Sequence, residues 1–262
     1  MGKRSDSYYD IQDGRHKHEA VRRDDDNFKT LDEVFDHQNL KFIYEMFKKG
    51  LINSVDHPIA SGKESNVFLC KTSQGDIVVL KVFRTATATF DAYLPYLEGD
   101  RRFTRIKPDR RGIIYAWCLK EFKNLQRLKE ANVRAPVPIA FHKNMLVMSE
   151  ITFDGQPAPT LKRVQRSASD MEAIWKEVLG FMVKMYNTAE LIHADLSEYN
   201  ILISNDGPVI IDVGQAVLTS HPMAEVYLKR DVENMVRFFN HGGLELTVES
   251  VLKKVVGKEG GT

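Results

Sequence analysis

Ile192-His193-Ala194-Asp195-Leu196-Ser197-Glu198-Tyr199-Asn200-Ile201-Leu202-Ile203 leads through Ser204-Asn205-Asp206-Gly207 into Val209-Ile210-Ile211-Asp212-Val213-Gly214. Two short apolar runs flank Asn205-Asp206-Gly207, a turn signal, so the segment reads as a β-hairpin. With the hairpin centred near Asp206, residue 200 faces residue 212 at its open end. Asn200 and Asp212 then form a pair of oxygen ligands of the kind a hard cation such as Mg²⁺ takes beside phosphate oxygens. Asp195 lies just upstream as a third polar group at the same edge, and His193 is expected to bond backbone around the loop rather than to move a proton.

An Asp, an Asn five residues later and a hairpin ending in Asp-x-Gly follow the spacing of base, metal ligand and metal ligand in protein kinases. A phosphate site of that kind needs a second half upstream. Ala60-Ser61-Gly62-Lys63-Glu64-Ser65-Asn66-Val67 precedes an apolar run, as a nucleotide-covering loop would, but has one glycine and is equally an ordinary polar turn. A Walker A loop is excluded, because Gly62-Lys63 is followed by Glu64 and His57 stands where that motif needs glycine. Lys81 lies among Val79, Leu80, Val82 and Phe83, a poor place for a solvated lysine unless the strand is an edge. From 113 to 130 the period is helical, with Ile114, Cys118, Leu125 and Leu128 on one stripe and Glu121 inside it. A carboxylate there needs a cation, and Lys81 is the candidate.

Working outward, 262 residues with 43% hydrophobic and 28% charged composition suit one large domain or two lobes, and exclude collagen and wholesale disorder. Lys and Arg number 37 against 36 Asp and Glu, so any nucleic acid must be met by a local patch. No apolar run approaches the roughly 20 residues of a bilayer span, and no leader pattern opens the chain; a cytoplasmic protein without membrane partners is expected. Cys70 and Cys118 read as buried small hydrophobes.

Residues 1–27 mix charges and histidines, including His16 and His18, with few aliphatics, and read as a mobile charged arm. Leu31, Val34, Phe35, Phe42, Ile43, Met46 and Phe47 recur at helical spacing up to Gly50. Strands are expected at 67–69, 77–83, 137–141 and 145–149, a lobe junction at Asp154-Gly155-Gln156-Pro157-Ala158-Pro159, and a helix opened by a capping box at Ser169-Asp170-Met171-Glu172 that carries Ile174, Val178, Met182 and Met185 on one face. The domains expected are the arm, an N-terminal helix with a β-rich lobe over 28–150, and a mainly helical lobe over 151–262.

At the loop Ser61 to Val67, at Lys81, at Lys120-Glu121-Phe122-Lys123-Asn124-Leu125, at His193 to Asn200 and at Ile211-Asp212-Val213-Gly214-Gln215-Ala216, the chain resembles the RIO family of atypical protein kinases, most closely its Rio-one subfamily. The resemblance spans about 31–240, and the chain looks archaeal in its short length. It implies an α+β, two-lobed protein-kinase-like fold with a truncated C-terminal lobe, since no Ala-Pro-Glu segment follows Asp212. It further implies an ATP- and Mg²⁺-dependent serine/threonine kinase, with Mn²⁺ as an alternative metal. Asp195 is implied as catalytic base, Asn200 and Asp212 as metal ligands, and Lys81, held by Glu121, on the phosphates. Ser61, Gly62, Lys63, Glu64, Ser65 and Val67 would cover the nucleotide, and Met148, Glu150 and Ile151 would bind adenine. Action on maturing small ribosomal subunits is implied too, either by transfer to a protein substrate or to itself, or as an ATPase switch with Asp212 taking a transient phosphoryl group.

The stretch 84–112 has no clean period and is expected to be a basic, mobile loop. Its Arg101, Arg102, Arg105, Lys107, Arg110 and Arg111 suit contact with rRNA phosphates, or a solvated loop. Two other readings remain: a nucleotide-binding scaffold on the pre-ribosome, and a small-molecule phosphotransferase, for whose substrate pocket little chain follows Asp212.

Overall fold

A computed structural model of the chain describes residues 35, 37–85, 90–103, 106–164 and 167–257, without the side chains of 90, 91 and 168. The expected arm, with its two histidines, and Leu31 and Val34 lie outside the described residues. Contacts divide the chain into a first unit, 1–88 with Pro138–Glu150, and a second, Thr89–Val137 with Ile151–Thr262.

In the first unit, helix α1 (His37–Lys48) buries Phe42, Ile43 and Met46, and Phe35 just before it packs on Phe68 with ring centroids 4.8 Å apart. Gly50 ends the helix at φ +68°, with Leu51 N–H bonding Met46 O and Gly50 N–H bonding Phe47 O. That pair of bonds needs a left-handed residue, which glycine supplies without a Cβ penalty. Five antiparallel strands follow in the order β1-β2-β3-β5-β4: β1 (Ser54–Ser61), β2 (Ser65–Lys71), β3 (Ile77–Phe83), β4 (Pro138–His142) and β5 (Met145–Ser149). β1 was not expected as a full strand; Pro58 sits in it, and the register slips on either side of that residue, as suits an edge strand. β3 is central, pairing with β2 on one side and β5 on the other. The edge reading of Lys81 therefore falls.

The second unit corrects three expectations. Part of the basic stretch is ordered: α2 (Phe90–Leu97) and a 3₁₀ turn at Arg101–Phe103 precede α3 (Arg110–Glu130). Tyr93 stacks on Trp117 of α3, with centroids 4.3 Å apart, and His221 Nε2 bonds Glu98 O at 2.7 Å. These contacts, with those of α3 to residues 213–216, group Thr89–Val137 with the second unit rather than with 28–150. The Gly/Pro-rich stretch is no junction but the hairpin of β6 (Thr152–Phe153) and β7 (Gln156–Pro157), turning at Asp154 and Gly155, φ +49° and +73°; the chain passes between units at Glu150–Ile151. The capping box of α4 (Ala168–Asn187) is Ser167 with Asp170, two residues earlier than expected, because Ser169 is already helical. Ile174, Val178, Met182 and Met185 are buried on its inner face, as expected.

The rest of the unit comprises β8 (Leu191–Ile192), β9 (Ile201–Ser204), β10 (Gly207–Ile210), β11 (Val217–Leu218), α5 (Ala224–His241) and α6 (Val248–Val256). α5 buries Tyr227, Leu228, Val232, Met235, Val236 and Phe239, and α6 buries Val251 and Val255. Cys70 and Cys118 are both buried and unbridged. No helix among the described residues is long and apolar enough to cross a membrane.

Candidate active site

Two small antiparallel ladders frame the site, β8 with β11 and β9 with β10. Residues 193–200 run from the end of β8 to the start of β9, and residues 211–216 run from the end of β10 to the start of β11. Both segments therefore bridge the same pair of ladders, which brings Asp195, Asn200 and Asp212 together from separate stretches of chain. The register differs by one step from the expected one. Ser204 pairs with Gly207 and Ile201 with Ile210, so the turn is the two residues Asn205-Asp206 and not three centred on Asp206. Asn200 accordingly faces Ile211, whose N–H donates to Asn200 O at 3.0 Å. Asp212 comes one residue later, where the strand stops and the backbone turns left-handed at φ +58°, a conformation that costs a non-glycine residue on the order of 1 kcal/mol.

Within the upstream segment, Asn200 Nδ2 donates to Asp195 O at 2.8 Å and to its carboxylate Oδ2 at 3.2 Å. The side chain that follows the Asp by five residues is thus folded back onto it. His193 Nε2–H donates to Ile211 O at 3.0 Å, tying the two bridging segments together, the backbone-bonding role read from sequence. Burial raises the Asp195 carboxyl above its ordinary range; His193 opposes this, the Asp212 charge adds to it, and Arg230 and the Asn200 hydrogen bond oppose it.

Sequence reasoning missed the groups that hold this loop. Asp231 of α5 is 2% exposed and accepts Ala194 N–H at 2.8 Å and Leu196 N–H at 2.9 Å. Burial pushes its carboxyl up to about 6 against the nearby His193 and those two donors. Arg230 donates to Ala194 O, and Asn234 Nδ2 to Leu196 O at 3.2 Å. The signal was present: Asp231 sits on the stripe of Ala224, Leu228, Met235 and Phe239, as Glu121 does on its own, and an acid on an apolar stripe is bound to something.

Downstream of Asp212 the grip comes from α3. Lys120 is fully buried, donating to Gly214 O at 3.0 Å and to Ala216 O, and Asn124 Nδ2 donates to Val213 O at 2.7 Å and Ala216 O at 3.0 Å. Burial, reinforced by Arg102, brings the Lys120 ammonium down to about 7, while Asp100 and Glu121 act to raise it. Asp100 is itself buried and takes three bonds from the Arg102 guanidinium, the shortest 2.7 Å, and a fourth from the Arg102 N–H at 3.0 Å. One of the six basic residues assigned to RNA contact is therefore turned inward; Arg101, Lys107, Arg110 and Arg111 are exposed, and Arg105 lies outside the described residues.

In the first unit, Ser61 to Val67 comprises the end of β1, the turn at residues 62–64 and the start of β2, closed by Gly62 N–H to Ser65 O at 2.9 Å with Lys63 and Glu64 exposed. Arg84, also missed from sequence, grips its base: Nη2 reaches Ser61 Oγ at 3.1 Å and Asn66 Oδ1 at 2.8 Å. Lys81 is 7% exposed, pairs in register with Val67 and Leu146, and has its ammonium 5.0 Å from the Phe83 ring centre. Glu121, 1% exposed, belongs to the second unit. Met148 faces Val79 at the end of β5, burial raises the Glu150 carboxyl, and Ile151 O receives Ala158 N–H at 3.0 Å. Two open grooves of about 600 and 610 Å³ run beside α4, one past Lys129, Arg134 and Phe181, the other past Lys176, Lys253 and Lys254; no candidate site residue lines either.

A family model for the RIO domain matches residues 66–251, which takes in Lys81, Asp195, Asn200 and Asp212. The chain belongs to the RIO family. It is 37% identical over 238 residues to the RIO-type serine/threonine-protein kinase Rio1 of Haloferax volcanii, covering 91% of this chain and 81% of that one. Against the protein of the same name from Methanocaldococcus jannaschii the identity is 38%, covering 92% and 82%. The Rio2 kinase–ADP/Mg²⁺–phosphoaspartate complex from Chaetomium thermophilum superposes with a TM-score of 0.64 at 24% identity, covering 89% of this chain and 75% of that chain, which fixes the fold as kinase-like α+β. This RIO kinase is an atypical serine/threonine protein kinase.

Proposed function

We propose that this RIO kinase uses ATP with Mg²⁺ to phosphorylate a serine or threonine hydroxyl, on a protein substrate or on itself, in the maturation of the small ribosomal subunit in the cytoplasm. The observation that carries the reading is the Asn200 amide, bonded to both the backbone and the carboxylate of Asp195 at the hairpin end that turns next into Asp212. Asp195 is the base that takes the hydroxyl proton; a carboxyl whose proton affinity is raised by burial suits that task. With Nδ2 committed to Asp195, the amide oxygen of Asn200 is the end that remains for a cation, and the Asp212 carboxylate is the second ligand. Two hard oxygens and no thiolate or imidazole fit Mg²⁺ or Mn²⁺, which keep water and phosphate oxygens as their other ligands. When bound, the cation offsets the charge of the phosphates. By the family resemblance, Ser61 to Ser65 and Val67 cover the nucleotide, Lys81 binds phosphate, and Met148, Glu150 and Ile151 take adenine.

A second reading is favoured by the phosphoaspartate of the Rio2 complex. An Asp212 oxygen attacks the γ-phosphorus as the bond to the ADP oxygen breaks; ADP leaves, and water then cleaves the acyl phosphate to inorganic phosphate and free Asp212. Labelled-ATP turnover, with and without small subunits, on wild type, Asp195→Ala and Asp212→Ala separates the two. Acid-stable label on a protein hydroxyl, reduced about 10²- to 10⁴-fold in Asp195→Ala, supports transfer. Free phosphate stimulated by subunits, with a hydroxylamine-sensitive label on wild type, supports the switch, and turnover unchanged in both variants refutes both.

A further inference from the structure

Two polar side chains of α3, Lys120 and Asn124, are spent on the carbonyls of residues 213–216. Lys120 and Asn124 between them bond Val213 O, Gly214 O and Ala216 O, the last twice. A fully buried ammonium whose acceptors are backbone carbonyls is an expensive way to hold a turn, and here the buried carboxylates of Asp100, itself paired with Arg102, and Glu121 act on it through space. Trp117, one turn earlier on the same face, leaves no room beside Gly214, where a Cβ would lie 3.1 Å from the indole Nε1. On the other side of Asp212, His193 fixes Ile211 O and Asn200 pairs with Ile211. The left-handed turn at Asp212 is thus clamped at both ends, by the loop of Asp195 before it and by α3 after it.

We propose that Lys120 and Asn124 are positioning residues for Asp212, fixing through the carbonyls of Val213, Gly214 and Ala216 the backbone turn that aims its carboxylate at the divalent cation of the nucleotide. This rests on the reading of Asp212 as a metal ligand. The donors of both residues are committed to backbone carbonyls, so their removal would loosen the metal without removing a ligand. Groups that orient a ligand in this way change metal affinity by about 10- to 100-fold when replaced.

The test uses the full chain with Mn²⁺ as the probe, its binding followed by electron paramagnetic resonance in the presence of a non-hydrolysable ATP analogue. Lys120→Met and Asn124→Leu keep volume and lose the donors; Asn124→Leu buries no new charge and serves if Lys120→Met does not fold. The expected result is a Mn²⁺ affinity lower by about tenfold or more, an unchanged affinity for the analogue in chelator, and faster hydrogen exchange at the amides of 212–217. Asp212→Asn is the reference. Loss of Mn²⁺ binding in Asp212→Asn beside wild-type binding in both α3 variants overturns the positioning role alone. Wild-type Mn²⁺ binding in Asp212→Asn overturns the ligand reading, and the positioning role with it.

Discussion

Asp195 and Lys120 are both costly where they are, and in opposite directions along the pH scale. The Asp195 carboxyl, raised by burial and then by Asp212, holds its proton more tightly in the folded chain than in the unfolded one. Its contribution to stability is fully present below the ordinary Asp range and is lost as pH rises through the raised value. Asp195→Asn, inactive in turnover, is therefore expected to melt higher than wild type at pH 7.5. The gain is on the order of 2 °C for a group still partly in contact with water, and vanishes below about pH 4. For Lys120 the folded value falls from 10.5 to about 7, so between those limits the unfolded chain binds more protons and stability rises with pH. Chemical denaturation of wild type and Lys120→Met across pH 6.5–10 is expected to show the balance moving in favour of wild type as pH rises; a pH-independent difference would mean the buried ammonium does not titrate in that window. Both residues illustrate what sequence reveals. Asp195 was legible from spacing alone, whereas Lys120 lies within a matching signature but its role was not legible, because α3 is buried on two faces and one apolar stripe accounts for only one of them.

Among the elements, those with strong local signals were the ones legible in sequence: the alternation and turn of β2 and β3, the period of α1 and α4, the turn residues of the β9–β10 hairpin. The one-residue error in that hairpin came from assigning three residues to a turn that uses two, which moved Asp212 onto a pairing it does not make. The α2 segment was illegible for a different reason. Its sequence Phe-Asp-Ala-Tyr-Leu-Pro-Tyr-Leu carries Pro95 inside an eight-residue helix, where a proline removes a hydrogen bond and clashes with the preceding turn. Such a helix stands on tertiary contact, here Tyr93 against Trp117 and Tyr96 against Trp117 and Tyr227. Tyr93→Ala is accordingly expected to cost about 3 kcal/mol in urea unfolding and to open the chain between residues 98 and 112 to limited proteolysis. A protease-resistant segment in that variant would show that α2 docks without the stack.

At the scale of the whole molecule, a net charge of +1 provides no general attraction to RNA, so the ribosomal partner proposed above would have to be met by a localised set of cations. The sequence offered six between 101 and 111; with Arg102 spent on Asp100, four of the described ones remain at the surface, Arg101, Lys107, Arg110 and Arg111. If each neutralises one phosphate of a single-stranded or loop region, the slope of log affinity against log salt is roughly −0.7 per contact. Four contacts then give a slope near −3 and roughly a 50-fold loss of affinity between 50 and 200 mM salt. Reversing Arg101, Lys107, Arg110 and Arg111 to glutamate is expected to flatten that slope and weaken binding to small-subunit RNA, while Arg102→Glu acts through stability because its partner Asp100 is buried. Filter binding over a salt series reads both quantities, with turnover on ATP alone as the control for an intact active site. A slope unchanged by the fourfold reversal would assign the RNA contact to another face, and the lysines beside α4 would be the next to reverse.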